Sequence, residues 1–415
     1  MTDDTPPSNS DSDLRAAIFG PAGENRSDEG SDNESADNSA RFGAGRAESS
    51  TFVAAKPDYH GAARPLAKIV FVNILLNVLT LGFYRFWGKT RVRDYIWSHL
   101  RFQDENFEYS GTGKELFFGF LVALAALAPV IIGFSVLTVA VPNPAAQGLF
   151  ALIQAILFVF LFQFAIYRAR RYRMSRTQWR GIRAGQDGAA THYALKAMAY
   201  MVLTGVTLGL MYPWMHTALE RYKVENTQFG DRPFTFDGAA RNLFLPWLGC
   251  WILLLPTSGL SYLWYRAASF RYFTRCTRYE GLRFESDLTG GQIFIVYCML
   301  SLIGFGLLMG AGVVIIAPIS ALGAGMEDFG ALMQGPADNP GLFISIIVVM
   351  VLGVLAAMAA YAVLLVLFLT QRMIALHCHS LSITGDIDFD AIRQSALAAP
   401  SRGEGFADAL DVGGV

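Results

Sequence analysis

Charge is what this chain has least of. Only 16% of its 415 residues are Asp, Glu, Lys or Arg, while 53% are hydrophobic; soluble proteins carry about 25% charged residues. Cysteine is scarce too. Cys250, Cys276, Cys298 and Cys378 share no spacing that suits a zinc site or a disulfide framework. Cys250 and Cys298 lie in apolar runs, where a buried, inert thiol is expected. Ionisable groups within the apolar runs are nearly missing: Lys68 lies near an end, and Asn73, Asn77, Gln154 and Gln163 are merely polar. Ion-coupled carriers place charges at membrane depth, so active transport is disfavoured while a passive path stays open. The polar, acidic N-terminus is unlike a cleavable signal peptide.

What the chain has in excess is long apolar runs. Seven segments cover about residues 65–83, 116–141, 148–167, 194–214, 243–264, 292–320 and 341–370. At about 1.5 Å per residue, each can cross a hydrocarbon layer of about 30 Å. The expected fold class is an all-α polytopic membrane protein with internal duplication, about seven apolar segments and short strand-like extramembrane pieces. The expected divisions are a disordered acidic tail (1–54), a first membrane repeat (55–193), a second (194–291), C-terminal spans (292–371) and a polar C-terminal tail (372–415). Residues 1–50 hold eleven acidic residues and four arginines, a net −7 that leaves +6 for the rest. So polar a segment buries too little apolar surface to offset its ordering entropy.

The duplication shows as an ungapped shift of 127 residues. Thr80-Leu81-Gly82 returns as Thr207-Leu208-Gly209, Trp87 as Trp214, Thr90 as Thr217 and Tyr95 as Tyr222. Phe107, Gly111, Leu116 and Phe117 return as Phe234, Gly238, Leu243 and Phe244. That is ten identities over 38 residues, where ordinary usage gives roughly two or three. Gly82 and Gly209 read as helix breaks, Trp87 and Trp214 as interfacial anchors, and Tyr95 and Tyr222 as structural positions. A weaker likeness links Tyr167-Arg168-Ala169 to Tyr265-Arg266-Ala267, and Gly181-Ile182-Arg183 to Gly281-Leu282-Arg283.

Lys and Arg crowd segments 84–115, 168–194 and 265–291, whereas 142–147 has no charge and 321–340 has only acids. The positive-inside rule puts the three basic segments in the cytoplasm. Seven plain crossings would then put 215–241 outside, although it is the repeat partner of 84–115. Either the two copies face opposite sides, or some segments are re-entrant and broken at Thr80-Leu81-Gly82, Thr207-Leu208-Gly209 and Pro256-Thr257-Ser258-Gly259. Plain crossings, with the N-terminal tail outside, are the favoured expectation. Against it stand four alternating pieces with a glycine or polar stop, at 107–111, 234–238, 283–286 and 381–385. These read as strands, and pairing them into one sheet would need most of them on one face.

No constellation reads as catalytic. Gly111-Thr112-Gly113-Lys114 lacks the first glycine of a phosphate loop and is followed by Glu115 rather than Ser or Thr. His377-Cys378-His379 has no evident fourth ligand. Arg168, Arg170, Arg171, Arg173, Arg176 and Arg180 are the candidate lipid-headgroup contacts. A lipid bilayer, with anionic phospholipid, is the expected partner; nucleic acid, metal and cofactor are not expected.

Thr80 to Trp87, Tyr167 to Arg183 and the closing Gly403 to Val412 stretch resemble the YjgN family, bacterial inner-membrane proteins with a domain of unknown function. The resemblance covers about residues 55–415 and implies an inner-membrane location and a multi-pass fold. It carries over no substrate and no site. Two functions are expected: a transport or channel-like protein with its pathway at the repeat interface, or an envelope scaffold or sensor whose basic segments bind anionic lipid or a partner. Neither is an enzyme.

Overall fold

The computed structural model describes residues 51–141, 143–321 and 340–397. The acidic tail before Thr51, the connection 322–339 and the closing 403–412 stretch lie outside the described residues.

One pattern recurs five times along the chain: a strand, two antiparallel helices and a strand. A leading strand, β1 (Thr51–Ala55), precedes the first unit. Unit one is β2 (Asp58–Tyr59), α1 (Ala63–Leu79), α2 (Arg85–Ser98) and β3 (Leu100–Phe102). Unit two is β4 (Glu105–Tyr109), α3 (Gly113–Ala140), α4 (Pro144–Arg176) and β5 (Thr177–Trp179). Unit three is β6 (Ile182–Gln186), α5 (Ala190–Val206), α6 (Tyr212–Glu225) and β7 (Thr227–Phe229). Unit four is β8 (Arg232–Phe236), α7 (Arg241–Leu253), α8 (Ser261–Cys276) and β9 (Thr277–Tyr279). Unit five is β10 (Leu282–Ser286), α9 (Gly290–Ala321), α10 (Pro340–Leu364), a π-helical segment (Leu365–Gln371), α11 (Arg372–Ser380) and β11 (Leu381–Ile387).

Within each unit the two strands pair antiparallel. Successive units join through hairpins whose turns use the left-handed residues Gln103, Asp104, Arg180, Gly181, Gly230 and Glu280. The result is one 11-stranded sheet, in the order β1-β11-β10-β9-β8-β7-β6-β5-β4-β3-β2. Its two edge strands are separated in sequence only by Lys56-Pro57, so the sheet must curl until its edges nearly meet. Segment 51–59 closes the ring, pairing with β11 through its first half and with β3 through its second. Antiparallel order puts every helix at one end of this ring and every tight turn at the other. The ring interior is filled by the third residues of β3, β5, β7 and β9. Phe102, Trp179, Phe229 and Tyr279 stack at centroid distances of 5.5, 5.9 and 6.2 Å, with Val53, Ile383, Ile387 and Ile392 around them.

The repeated residues turn out to be the joints. Thr80, Thr207 and Thr257 each donate a hydroxyl hydrogen bond one turn back and accept the amide four residues on. Gly82, Gly209 and Gly259 follow with φ of 95°, 92° and 86°, and each closes the helix end with a bond to the carbonyl five residues earlier, 2.7 Å in all three. Trp87 packs on Phe117, Trp214 on Phe244 and Trp264 on Phe294, at 5.7, 5.5 and 5.7 Å. In each pair the tryptophan belongs to one unit and the phenylalanine to the next. Tyr95, Tyr222 and Tyr272 bond the backbone of Ala62, Ala189 and Ala239 respectively, tying each hairpin's base. The third member of each set comes from unit four, offset by 50 residues from unit three; the duplication extends to a third short hairpin.

Several expectations are corrected. The fold is not all-α, because the strand-like pieces assemble into the ring. Each of those pieces is too short to stand alone, and at least one of its partners lies a full unit away in sequence. Plain crossings are replaced by hairpins: both repeat copies start and end in one sheet, so segments 84–115 and 215–241 share a side. Charge and parity then agree. β1 takes up the last four residues of the expected disordered tail, 51–54, because they pair with β11, and it sits in that same sheet rather than on the opposite side. Four stretches are long and apolar enough to span a membrane: Gly113–Ala140, Pro144–Arg176, Gly290–Gly310 and Met350–Ser380. The three short hairpins are not. α1, with 17 residues, is about 25 Å long. Their tips are nevertheless apolar and bare, with Leu81, Leu208 and Leu255 90%, 78% and 89% exposed. An apolar medium around the helical end accounts for this surface. Cys250 is buried as expected, but Cys298 is exposed on α9.

Candidate functional site

A one-signed site lies in the helical layer between units one and five. On α2, Arg85, Lys89 and Arg93 recur every four residues and so share a face. On α1, Asn73 and Asn77 share a face in the same way. All five line a cavity of about 420 Å³, whose opposite wall is Ala362 with Leu365, Val366, Leu369 and Thr370 of the π-helical segment. No carboxylate is among its described lining residues. At about 1.5 Å per residue the three cations climb over about 12 Å along α2, from the sheet towards the hairpin tip. Arg85 is exposed, Lys89 half-buried and Arg93 only 2% exposed.

Local chemistry holds these groups in place. Arg93 Nη1 donates to the Tyr109 hydroxyl at 3.5 Å, and Asn73 Nδ2 donates to the Gly88 carbonyl at 3.0 Å. Gly88 permits this approach, since a Cβ there would lie 3.3 Å from the Asn73 side chain. The Asn73 and Asn77 Oδ1 atoms are buried and accept no hydrogen bond within the protein. Leaving such an acceptor unsatisfied costs about 1–3 kcal/mol. Asn73 is 8% exposed. Three cations beside orphaned acceptors in an apolar cleft suit a ligand with an anionic group and hydroxyl donors.

Beneath the cleft runs the seam of the ring. Gln371 Nε2 donates to the Gly61 carbonyl at 2.6 Å, and His379 lies 3.7 Å from Asp58. Tyr59 is buried at this edge, which pushes its phenol up to about 12 and keeps it neutral. The π-helical segment in the wall is a rare conformation that concentrates at functional sites.

The cationic triple is specific to unit one among the short hairpins. At the 127-residue offset the same positions hold Tyr212, His216 and Glu220, and 50 residues further Tyr262, Arg266 and Phe270. All of these but Tyr212 line a second cavity of about 440 Å³ of mixed character. In it Glu220 is ion-paired with Lys223, and His216 meets the edge of Phe273 at 4.7 Å.

The six arginines named as candidate headgroup contacts meet different neighbours. Arg168 lies over Phe164. The Arg170 Nε is buried, and Arg170 interacts with Glu220 across units. Arg171 and Arg173 are half-buried on the last turns of α4. Arg176 pairs with Glu115 at 3.0 Å and lies over Tyr172. Arg180 stacks on Trp179 and Phe389 in a hairpin turn, at the end of the ring away from the helices. His377 packs on Phe270 at 4.6 Å, so the two imidazoles of His377-Cys378-His379 serve different neighbours. Sequence reasoning passed over Arg85, Lys89 and Arg93 as anchors; their four-residue spacing was the available signal. The wall they face comes from the other end of the chain and left no local trace.

Comparison with known proteins gives a consistent setting. The family model described as "Bacterial protein of unknown function (DUF898)" matches residues 55–262. Inner membrane protein YjgN of Escherichia coli O157:H7 is 28% identical over 126 residues, 30% of this chain and 29% of that protein. YjgN of Escherichia coli K12 is 27% identical over 104 residues, 25% of each chain. YjgN of Salmonella typhimurium is 30% identical over 93 residues, 20% of this chain and 24% of that protein. The matches thus span less than a third of these relatives' length. No solved structure matches the chain.

Proposed function

The chain belongs to the DUF898 (YjgN) family of bacterial inner-membrane proteins, and from that premise we propose that it is a membrane-embedded binder of an anionic headgroup, acting as a scaffold or sensor. The observation that carries this reading is the stripe of Arg85, Lys89 and Arg93 facing a cleft walled by apolar side chains. The packed ring interior favours binding over conduction: Phe102, Trp179, Phe229 and Tyr279, with Ile392 among them, fill the axis below the helices. The basic segments support a cytoplasmic side for the sheet by the positive-inside rule.

The test is the thermal stability of the purified full chain in detergent. Phosphatidylglycerol is expected to raise the unfolding temperature and phosphatidylcholine is not. At a hundredfold excess over Kd the gain is about 2.7 kcal/mol. The double variant Arg85→Gln, Lys89→Gln should lose that gain. An unchanged gain in the double variant would refute the reading, and a full gain from glycerol 3-phosphate alone would identify a soluble anion instead of a lipid.

A further inference from the structure

We infer that the occupant is a phospholipid that bridges the seam of the ring, with its phosphate on unit one and an acyl chain in a chamber of unit five. This rests on the anion-binding reading above and adds the chain to it. The chamber, about 900 Å³, lies between α9 and α10, and its lining includes Tyr297, Ser301, Gly304, Ala357 and Tyr361. Its size falls within the range of about 300–1,000 Å³ usual for ligand cavities. Leu365 and Leu369 of the π-helical segment line both this chamber and the cationic cleft. One pair of side chains thus separates a site for negative charge from a site for hydrocarbon, the two halves of an anionic lipid. A free phosphate would use the first and leave the second unengaged.

The location adds a second argument. Every other pair of neighbouring strands in the ring is joined by ladder hydrogen bonds, but β1 and β2 are joined only by the covalent link Lys56-Pro57. The helices above repeat this: α10 returns against α1 to close the helical ring. An occupant anchored on α2 and lying along α10 ties the two sides of that joint. Asn73, whose Oδ1 accepts no hydrogen bond within the protein although it is nine-tenths buried, faces the cleft at the position where glycerol or headgroup hydroxyls would donate.

Retention of dioleoyl phosphatidylglycerol by the purified full chain, read by native mass spectrometry, tests the inference. Hydrocarbon gains little by leaving a micelle or bilayer, so the chamber acts through packing. Filling it by Ser301→Leu on α9 or Ala357→Leu on α10 is therefore expected to lower retention about fivefold, while Ser301→Ala leaves it unchanged. Lys89→Gln and Arg85→Gln should lower it further. If both leucine variants retain the lipid like wild type while Lys89→Gln does not, the chain lies elsewhere: the inference is overturned and the headgroup reading survives. If Lys89→Gln and Arg85→Gln also retain it, both fall.

Discussion

Replacing Tyr95 by Phe tests the idea that repeated tyrosines lock the base of each hairpin. The Tyr95 hydroxyl donates to the Ala62 carbonyl and accepts the Ala62 amide, both at 2.9 Å, and the residue is only 9% exposed. Phe keeps the ring and its stacking on His99 at 4.1 Å but leaves both backbone groups of Ala62 without that partner. At about 1 kcal/mol net per hydrogen bond, Tyr95→Phe should cost about 2 kcal/mol. Tyr272 makes the same two bonds to Ala239, at 2.7 and 3.0 Å, and accepts a third from Asn242 at 2.9 Å. Its loss should cost at least as much. Tyr222 donates one bond to Ala189, at 2.9 Å and in a solvent-exposed setting, so its variant should lose about 1 kcal/mol or less. The assay is the unfolding midpoint of the purified chain in detergent, followed by tryptophan fluorescence. In a chain of this size 1 kcal/mol moves the midpoint by about 2 °C at most. Drops of about 2–4 °C for Tyr95→Phe and Tyr272→Phe, and about 2 °C or less for Tyr222→Phe, are expected. Midpoints for the first two that coincide with wild type would refute the locking role.

Two further outcomes follow from the fold. Single cysteines at Asp104 and Asp231, in the hairpin turns of the two repeat copies, should react with an impermeant thiol reagent from the same side of the membrane; opposite reactivity would overturn the shared sheet. Gly111→Ala should destabilise by about 1–3 kcal/mol through overpacking, because its Cβ would lie 2.6 Å from the Tyr109 ring. Gly133→Ala, within α3 and with nothing inside 4 Å, should be neutral or stabilising, as read from the same melts.

Much of the local architecture was legible in advance. The three helix breaks stand where Thr-x-Gly predicts them: Leu81, Leu208 and Ser258 take the left-handed position of each Schellman turn, with φ of 52°, 50° and 51°, and the glycine that follows continues at positive φ, where its missing Cβ avoids strain. Four of the eleven strands fall within two residues of the alternating pieces, and the other seven lie outside them. The re-entrant solution to the charge conflict was also visible, yet hydropathy alone favoured plain crossings. An apolar segment of about 20 residues carries no mark of whether a neighbour turns it back. The third copy of the hairpin escaped notice because Ser258 stands where Leu81 and Leu208 stand, although Thr257, Gly259, Trp264 and Tyr272 keep their roles.

The sequence by itself indicated the apolar medium, the 127-residue duplication and the glycine breaks, since these depend on composition and on neighbours within a few turns. Tertiary structure decided that the units close into a ring and that segment 51–59 seals it. It also decided that Arg85, Lys89 and Arg93 face the π-helical segment. Those contacts join opposite ends of the chain, and their strength comes from the sum of pairings around the ring rather than from any stretch of residues read alone.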